Sequence, residues 1–218
     1  MNTRKVLTLA VILILGLAFY FGMDAYRDRT QAEQNTRVEV EKKRLVRMHT
    51  PIIGPQNAPV TIVEFFDPAC ETCRAFYPIV KQIMARHPDK VRLALRYAPF
   101  HHGSDQVVKL MAAAREQGLQ TPVLEALLAA QPEWANHAAP NLDLAFEAAA
   151  RAGLDMGRAR QDMEKPEVQA VLAQDIEDLT ALKVSKTPTF FVNGRSLPSF
   201  GPEQLARLVA EEVGKVKP

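Results

Sequence analysis

Two cysteines between a strand-like segment and a helix-like segment constrain this chain more than any other feature. They are Cys70 and Cys73, the only cysteines of the chain, and two residues separate them. Residues 60–66, just before them, are β-branched and aromatic with turn residues on both sides, which predicts a buried strand. Residues 74–86 carry apolar side chains at helical spacing. A strand is therefore predicted to deliver both cysteines to the start of a helix.

This placement has chemical consequences for the Cys70 thiol. The unpaired N–H groups and the positive dipole end of a first helical turn stabilise a thiolate there. Two intervening residues put Cys73 within disulfide reach, so Cys70 can attack and Cys73 can resolve. A zinc half-site and two inert core thiols are the alternatives. Zinc needs two more ligands, and the adjacent His101 and His102 lack the spacing of a standard pair, so we predict a redox pair with no metal and no cofactor.

The N-terminal segment, residues 1–23, predicts a membrane anchor. Its apolar run of 18 residues at 6–23 would span about 27 Å as a helix, close to the hydrocarbon thickness of a bilayer. Arg4 and Lys5 precede the run, which favours a cytoplasmic N-terminus and a catalytic domain on the periplasmic side of a bacterial inner membrane. The alternative is a secretory signal cleaved near residues 16–18, which would leave a soluble periplasmic protein.

Residues 24–50 contain 12 charged residues and predict a charged helical stalk. A coiled coil is the alternative, because an oligomeric stalk could turn a thiol oxidase into a disulfide isomerase. Its seam would place Glu41 among Val38, Leu45 and Met48, and a charge at one of four seam positions favours the plain stalk.

Charge and composition limit what the remaining residues, 51–218, can be. The first 50 residues carry nine Lys or Arg against five Asp or Glu, and the rest carry 18 against 20. A folded part with a net charge of 18 − 20 = −2 gives no support to nucleic-acid binding. With 47% apolar residues the chain can bury a core, and its 218 residues allow one domain of ordinary size or one domain with a sizeable insertion.

Two further positions bear on the same chemistry. Glu64 lies in the otherwise apolar strand six residues before Cys70, where a buried acid could relay a proton to or from Cys73. Its alternative is an edge position on a half-exposed strand. Thr187-Pro188 introduces a second apolar strand, and a cis bond there could present backbone to an extended substrate. An ordinary trans proline is equally compatible with the sequence.

Together these elements resemble the thioredoxin superfamily and, within it, the exported DsbA-like thiol-disulfide oxidoreductases. The resemblance covers most of residues 51–215, and its motifs are Ile53-Gly54, Ala58-Pro59-Val60, Val63 to Asp67, Cys70 to Cys73, Pro78 and Thr187 to Gly194. It implies an α/β fold in which helices flank a central mixed sheet. By position, it makes Cys70 the nucleophile, Cys73 the resolving thiol, Glu64 the buried acid and Pro188 the cis-proline facing the disulfide, with Thr187 contacting a bound peptide.

The long separation of Cys70 and Pro188, 118 residues, indicates an insertion. The resemblance implies that this insertion is a helical domain, at about 102–183. Helices are predicted in it at 104–117, 122–130, 142–152 and 156–182, the last interrupted by Pro166, and Trp134 is predicted in a loop-like stretch between two prolines. The core is predicted to add a strand at 91–97, a hairpin turn at Asn193-Gly194 and a helix at 202–213.

The two residues between the cysteines depart from the family's strong oxidases, which have Pro-His there. Glu71 and Thr72 replace a potentially cationic neighbour with an anionic one, which should make the Cys70 thiolate less stable. A less stabilised reduced form means a less oxidising disulfide. Glu71 and Thr72 are therefore predicted to tune the redox potential.

The predicted function is thiol-disulfide exchange with cysteine-containing exported proteins through a mixed disulfide at Cys70. Oxidase action would need a membrane partner such as a quinone-linked oxidase, and reductase action an electron-donating reductase. The sequence leaves oxidase, reductase and isomerase directions open. The alternative is a non-catalytic binding or assembly module, or a metal-handling protein, that uses the same cysteine pair.

Overall fold

A computed structural model of the chain describes residues 43–216, together with residues 15, 19–23, 26 and 29. No helix within these ranges is both long and apolar enough to cross a membrane. Most of the predicted anchor at 1–23 and most of the predicted stalk at 24–50 lie outside the described residues.

The described part contains a five-stranded sheet and two groups of helices. The strands are β1 (Ile52–Ile53), β2 (Val60–Phe66), β3 (Val91–Tyr97), β4 (Thr189–Val192) and β5 (Arg195–Ser196). The helices of the core are α1 (Glu71–Arg86) and α7 (Pro202–Lys215). The helices of the insertion are α2 (Ser104–Glu116), α3 (Gln120–Trp134), α4 (Leu142–Arg151), α5 (Met156–Met163) and α6 (Pro166–Ala181).

Strand β2 lies in the middle of the sheet, whose order is β1-β3-β2-β4-β5. It pairs with β3 in parallel and with β4 antiparallel, so the sheet is mixed as expected. Its side chains are buried on both faces: Ile62 and Phe66 pack in one apolar cluster, and Val63 and Phe65 in a second. A continuous apolar run is what a strand covered on both faces requires. The predicted strand at 60–66 is confirmed.

The turn between β4 and β5 is the predicted Asn193-Gly194 hairpin. Both residues have positive φ, 47° and 88°, the region that two-residue hairpin turns use and that Asn and Gly tolerate best. Asn193 also fastens the turn to β2, because its side-chain oxygen accepts from the Thr61 N–H at 2.9 Å while its own N–H donates to the Thr61 carbonyl at 3.0 Å.

The insertion between β3 and β4 consists of five helices in the described part. The predicted interruption of the stretch 156–182 at Pro166 is confirmed, because two helices occupy this stretch and Pro166 starts the second one at a position that needs no N–H donor. Trp134 is the last residue of α3, so its placement in a loop was wrong. The indole is fully buried and donates to the Leu127 carbonyl at 2.9 Å, which ties it to the preceding turns of the helix.

A buried ion cluster joins β3 to α6. Arg96 is fully buried, and its Nη2 donates to Asp175 Oδ1 and Asp178 Oδ2, both at 2.7 Å. Arg47 donates to both oxygens of Asp178 at 2.8 and 2.6 Å, and His49 Nε2 lies 2.8 Å from Asp175 Oδ1. Because buried carboxylates need such partners, the segment that supplies Arg47 and His49 is held on the domain.

Residues 43–50, the C-terminal end of the predicted stalk, therefore belong structurally to the domain instead of being solvated. Leu45 is only 3% exposed and packs with Phe65 of β2 and Leu179 of α6. The charged side chains of this segment suggested a solvated helix. In the structure they lie against the carboxylates of α6, and the sequence pattern does not reveal this contact.

Replacing Leu45 tests this docking. We expect Leu45→Ala to lower the free energy of unfolding by about 2 to 3 kcal/mol, because it opens a cavity in the second apolar cluster. Met48→Ala is the matched control, since Met48 lies three residues away and is fully exposed. Equal effects of the two substitutions in chemical denaturation would contradict the docking of this segment.

Candidate active site

Cys70 occupies the N-cap position of α1. Its backbone is extended (φ −78°, ψ 118°), and its sulfur accepts from the Cys73 N–H at 3.4 Å. The helix thus begins at Glu71, immediately after the first cysteine, as the sequence predicted. Both cysteines are free thiols here, so the geometry is that of the reduced protein.

The surroundings of Cys70 favour its thiolate. Its pKa falls from 9.0 to about 5, chiefly because of the hydrogen bond with the Cys73 side chain, and burial opposes the shift. The Thr187 side chain and the backbone N–H groups of Cys73 and Thr72 lower the pKa further. The Cys70 sulfur also lies 3.5 Å from the Thr187 carbonyl oxygen, to which only the protonated thiol can donate.

Cys73 lies in the opposite environment. It is fully buried, and its pKa is raised by burial first and then by its hydrogen bond to Cys70 and by the charge of Glu64. The pKa values of the two thiols therefore shift in opposite directions, because hydrogen bonds outweigh burial at Cys70, whereas burial outweighs the backbone hydrogen bond with Asp67 at Cys73.

Glu64 is a buried carboxyl in the centre of the sheet. It pairs with Leu95 of β3 and Phe190 of β4, so the alternative of a half-exposed edge position is wrong. The side chain is fully buried, and neither carboxyl oxygen has a hydrogen-bond partner in the described part of the chain. Burial, and then the charge of Cys70, raises the pKa of Glu64 well above 4.5. Burial thus favours the protonated form of Glu64, and the carboxyl interacts electrostatically with both thiols.

The segment before β4 brings the predicted substrate-binding residues to the cysteines. The Thr187-Pro188 bond is cis, which the sequence had left open. Thr187 is half-buried with its carbonyl against the Cys70 sulfur, and Pro188 is buried. The fold thus brings together Cys70, Cys73, Glu64 and Thr187, although Glu64 and Thr187 are 123 residues apart in the sequence.

Glu71 and Thr72 are both exposed, and Glu71 has a partner that the sequence did not indicate. Its carboxylate lies 3.1 Å from Nε2 of His137, which belongs to the insertion. The ring of His137 packs against that of His101 at a centroid distance of 4.7 Å. The pKa of Glu71 is lowered, first by its own backbone N–H and then by His137. The expected repulsion between Glu71 and the Cys70 thiolate is therefore opposed by a nearby imidazole.

Asp67 holds the turn that leads from β2 to Cys70. The fully buried carboxylate accepts from the backbone of Ala69 (2.9 Å), Phe100 (2.7 Å) and His101 (2.9 Å). It also accepts from Ser104 Oγ at 2.5 Å and lies 2.7 Å from His101 Nδ1. His101 is thereby fixed by Asp67 in the loop after β3. Sequence reasoning assigned Asp67 only to a motif, although a carboxylate directly after a buried strand was a usable signal.

A cavity of about 260 Å³ lies beside Glu71, between the start of α1 and the end of α3. Its walls are Glu71, Gln131, Pro132, Ala135, Asn136 and His137. Within the described ranges, no group of three or more His, Cys, Asp or Glu side chains is arranged to hold a metal ion.

Replacing Glu64 tests how much this buried acid destabilises the folded protein. We expect Glu64→Leu to raise the free energy of unfolding by about 1 to 3 kcal/mol, because it removes an unpaired polar group from the core. A raised pKa means that the wild type loses stability as pH rises above the ordinary value of 4.5. The gain should therefore be larger at about pH 8 than at about pH 4.

Glu212 provides the control for Glu64→Leu. It is also buried, at 7% exposure, but it is paired with Asn193 (3.3 Å), Arg195 (2.9 Å) and Lys215 (2.6 Å). Glu212→Leu should lower the stability in the same denaturation experiment. Destabilisation by Glu64→Leu at both pH values would show that Glu64 is satisfied in the folded protein.

Comparison with known proteins finds the same fold in solved structures. A solved thioredoxin-like oxidoreductase from Silicibacter pomeroyi is 29% identical, with a TM-score of 0.69 over 80% of this chain and 98% of that one. The thiol-disulfide exchange protein alpha-DsbA2 from Wolbachia pipientis has the same fold at 17% identity, with a TM-score of 0.68 over 84% and 97% of the two chains.

A curated relative is the Na⁺/H⁺ antiporter NhaA 3 of Salinispora tropica, 34% identical over 145 residues, or 65% of this chain and 21% of the antiporter. The chain spans about a fifth of the length of the antiporters that it matches. The family model described as thioredoxin matches residues 47–211, which include the cysteine pair, α1 and the insertion and extend into α7. This chain belongs to the thioredoxin family.

Proposed function

We propose that this protein is a thiol-disulfide oxidoreductase of the DsbA-like type, acting on cysteine-containing exported proteins. The observation that carries the proposal is the contrast between its two thiols. Cys70, at the start of α1, has its pKa lowered to about 5, whereas burial raises the pKa of Cys73. A nucleophile that is ionised at neutral pH next to a protonated resolving thiol is the pair that disulfide exchange needs.

The exchange proceeds in two steps. The Cys70 thiolate attacks one sulfur of a substrate disulfide, forming a mixed disulfide and releasing one substrate thiolate, which takes up a proton. Cys73 then loses its proton and attacks the Cys70 sulfur, forming the Cys70–Cys73 disulfide and releasing the second substrate thiolate. Two electrons pass from the pair to the substrate, and the reverse sequence oxidises a substrate dithiol.

Glu64 serves the second step in its ionised form, as the carboxylate that accepts the Cys73 proton directly or through water. Its charge is felt at Cys73, and its raised pKa brings it closer to that of a thiol than an ordinary carboxyl would be. The Thr187 carbonyl faces the Cys70 sulfur, so a substrate peptide lying along residues 187–188 would present its cysteine to the nucleophile.

The protein acts outside the cytoplasm in this proposal, tethered to the inner membrane by residues 1–23, or soluble in the periplasm if that segment is cleaved. Disulfide exchange suits an oxidising compartment. An oxidase would be reoxidised by a membrane protein linked to quinones, and a reductase would receive electrons from a membrane reductase. The apolar run at 6–23 supports the tether.

A trapping variant tests the activity and identifies its substrates. Cys73→Ser should accumulate mixed disulfides with exported proteins, because the resolving thiol is missing and the first intermediate persists. Non-reducing electrophoresis followed by mass spectrometry would identify the captured chains. The double variant Cys70→Ser/Cys73→Ser is the control and should capture none. If Cys73→Ser captures nothing while the wild type binds a metal ion stoichiometrically, the protein is a metal-handling or binding module.

The reduction potential tests the tuning by Glu71 and Thr72. A Cys70 pKa of about 5 lies between those of thioredoxin (about 7) and DsbA (about 3.5). Since a less stabilised thiolate gives a less oxidising disulfide, we expect a potential between about −270 and −120 mV in glutathione redox buffers. A value equal to that of the strongest oxidases would contradict this tuning.

A further inference from the structure

Gln131 is a buried polar residue of the insertion that lies against the cysteine motif. It belongs to the last turn of α3 and is only 1% exposed. Its Nε2 donates to the carbonyl of Pro68 at 2.8 Å and to the carbonyl of Cys70 at 3.0 Å. Its Oε1 accepts from Arg74 Nε at 2.9 Å. Every polar atom of the amide is thus used within the protein.

Arg74 determines which way the amide of Gln131 points. An Nε–H donor must face the oxygen of the amide, so the nitrogen is left to face the two carbonyls. Arg74 lies four residues after Cys70 in α1, and its own N–H donates to the Cys70 carbonyl at 3.1 Å. The carbonyl of the nucleophile is therefore held by two donors, one from its own helix and one from the insertion.

We propose that Gln131 is a positioning residue for the redox pair, which fixes the Pro68 and Cys70 carbonyls and so holds the Cys70 sulfur against the first turn of α1. The sulfur meets the Cys73 N–H at 3.4 Å only while Cys70 keeps its extended N-cap backbone. Asp67 fastens the same turn to the loop after β3, and Gln131 fastens it to the insertion. The insertion thus takes part in preparing the nucleophile.

The inference rests on the proposed function, since holding this sulfur matters only if Cys70 is the nucleophile. Its test does not depend on a substrate. The Cys70 thiolate is titrated by its ultraviolet absorbance in the reduced protein, where Cys73 stays protonated because burial raises its pKa. Failure to trap substrates in Cys73→Ser would overturn the proposed function while leaving this titration interpretable.

The variant Gln131→Met keeps the length of the side chain and removes its hydrogen bonds. We expect the pKa of Cys70 to rise by about half to one unit, and the equilibrium with glutathione to shift ~3- to 10-fold towards the protein disulfide. Arg74→Lys keeps the positive charge but loses the Nε–H donor. It should shift the pKa of Cys70 and the glutathione equilibrium in the same direction as Gln131→Met, but by a smaller amount. Circular dichroism checks that each variant is folded.

Gln117 offers a matched control in the same insertion. It also bonds to backbone through both ends of its amide, to the Asp155 carbonyl at 3.1 Å and the Asp155 N–H at 3.0 Å, but it does not touch the cysteine turn. Gln117→Met should leave the pKa of Cys70 and the glutathione equilibrium unchanged. A folded Gln131→Met with both quantities at their wild-type values would overturn the proposal, as would an equal shift in Gln117→Met. If Gln131→Met does not fold, unchanged values in Arg74→Lys overturn it.

Discussion

Strand β2 is hydrogen-bonded on both edges and buried on both faces, and the positions of the reacting groups depend on it. The strand places Glu64 in the core, ends at the turn held by Asp67, and delivers Cys70 to the start of α1. Its antiparallel register with β4 pairs Phe65 with Thr189, which brings the preceding Thr187 carbonyl to the sulfur. A shift of one residue in this register would turn every side chain of β2 to the opposite face.

The site contains groups that a core optimised for stability would not retain. Glu64 lacks hydrogen-bond partners in the described part of the chain, and Cys73 is a buried thiol whose ionisation its surroundings oppose. Both groups destabilise the folded state, and in the proposed function they serve the transfer of a proton and an electron pair. The neighbouring polar groups Asp67 and Gln131, in contrast, are fully hydrogen-bonded.

The features predicted correctly from the sequence are those with a local signal. The strand at 60–66, the helix that follows the cysteines and the Asn193-Gly194 turn are each encoded by adjacent residues. Gln131 and His137 were missed because they reach the motif from about 60 residues away, and nothing around them marks that contact. The docking of residues 43–50 was missed for the same reason: its charges were interpreted as solvated when their partners lie on α6.

The ion cluster around Arg96 determines where the chain can be shortened. The first strand begins at Ile52, so a chain that starts at residue 51 would keep every strand, although it would lack residues 47–50, the first of the family match. This truncation would delete Arg47 and His49. Of the cations described above, Arg96 alone would then remain beside the buried carboxylates of Asp175 and Asp178. Leu45 would also leave the core. A shortened form that retains these contacts must therefore begin no later than Arg44, whose carbonyl accepts from Arg96 Nη1. If residues 1–23 form the proposed tether, this docked segment is the part of the domain that a pull on the tether would reach first.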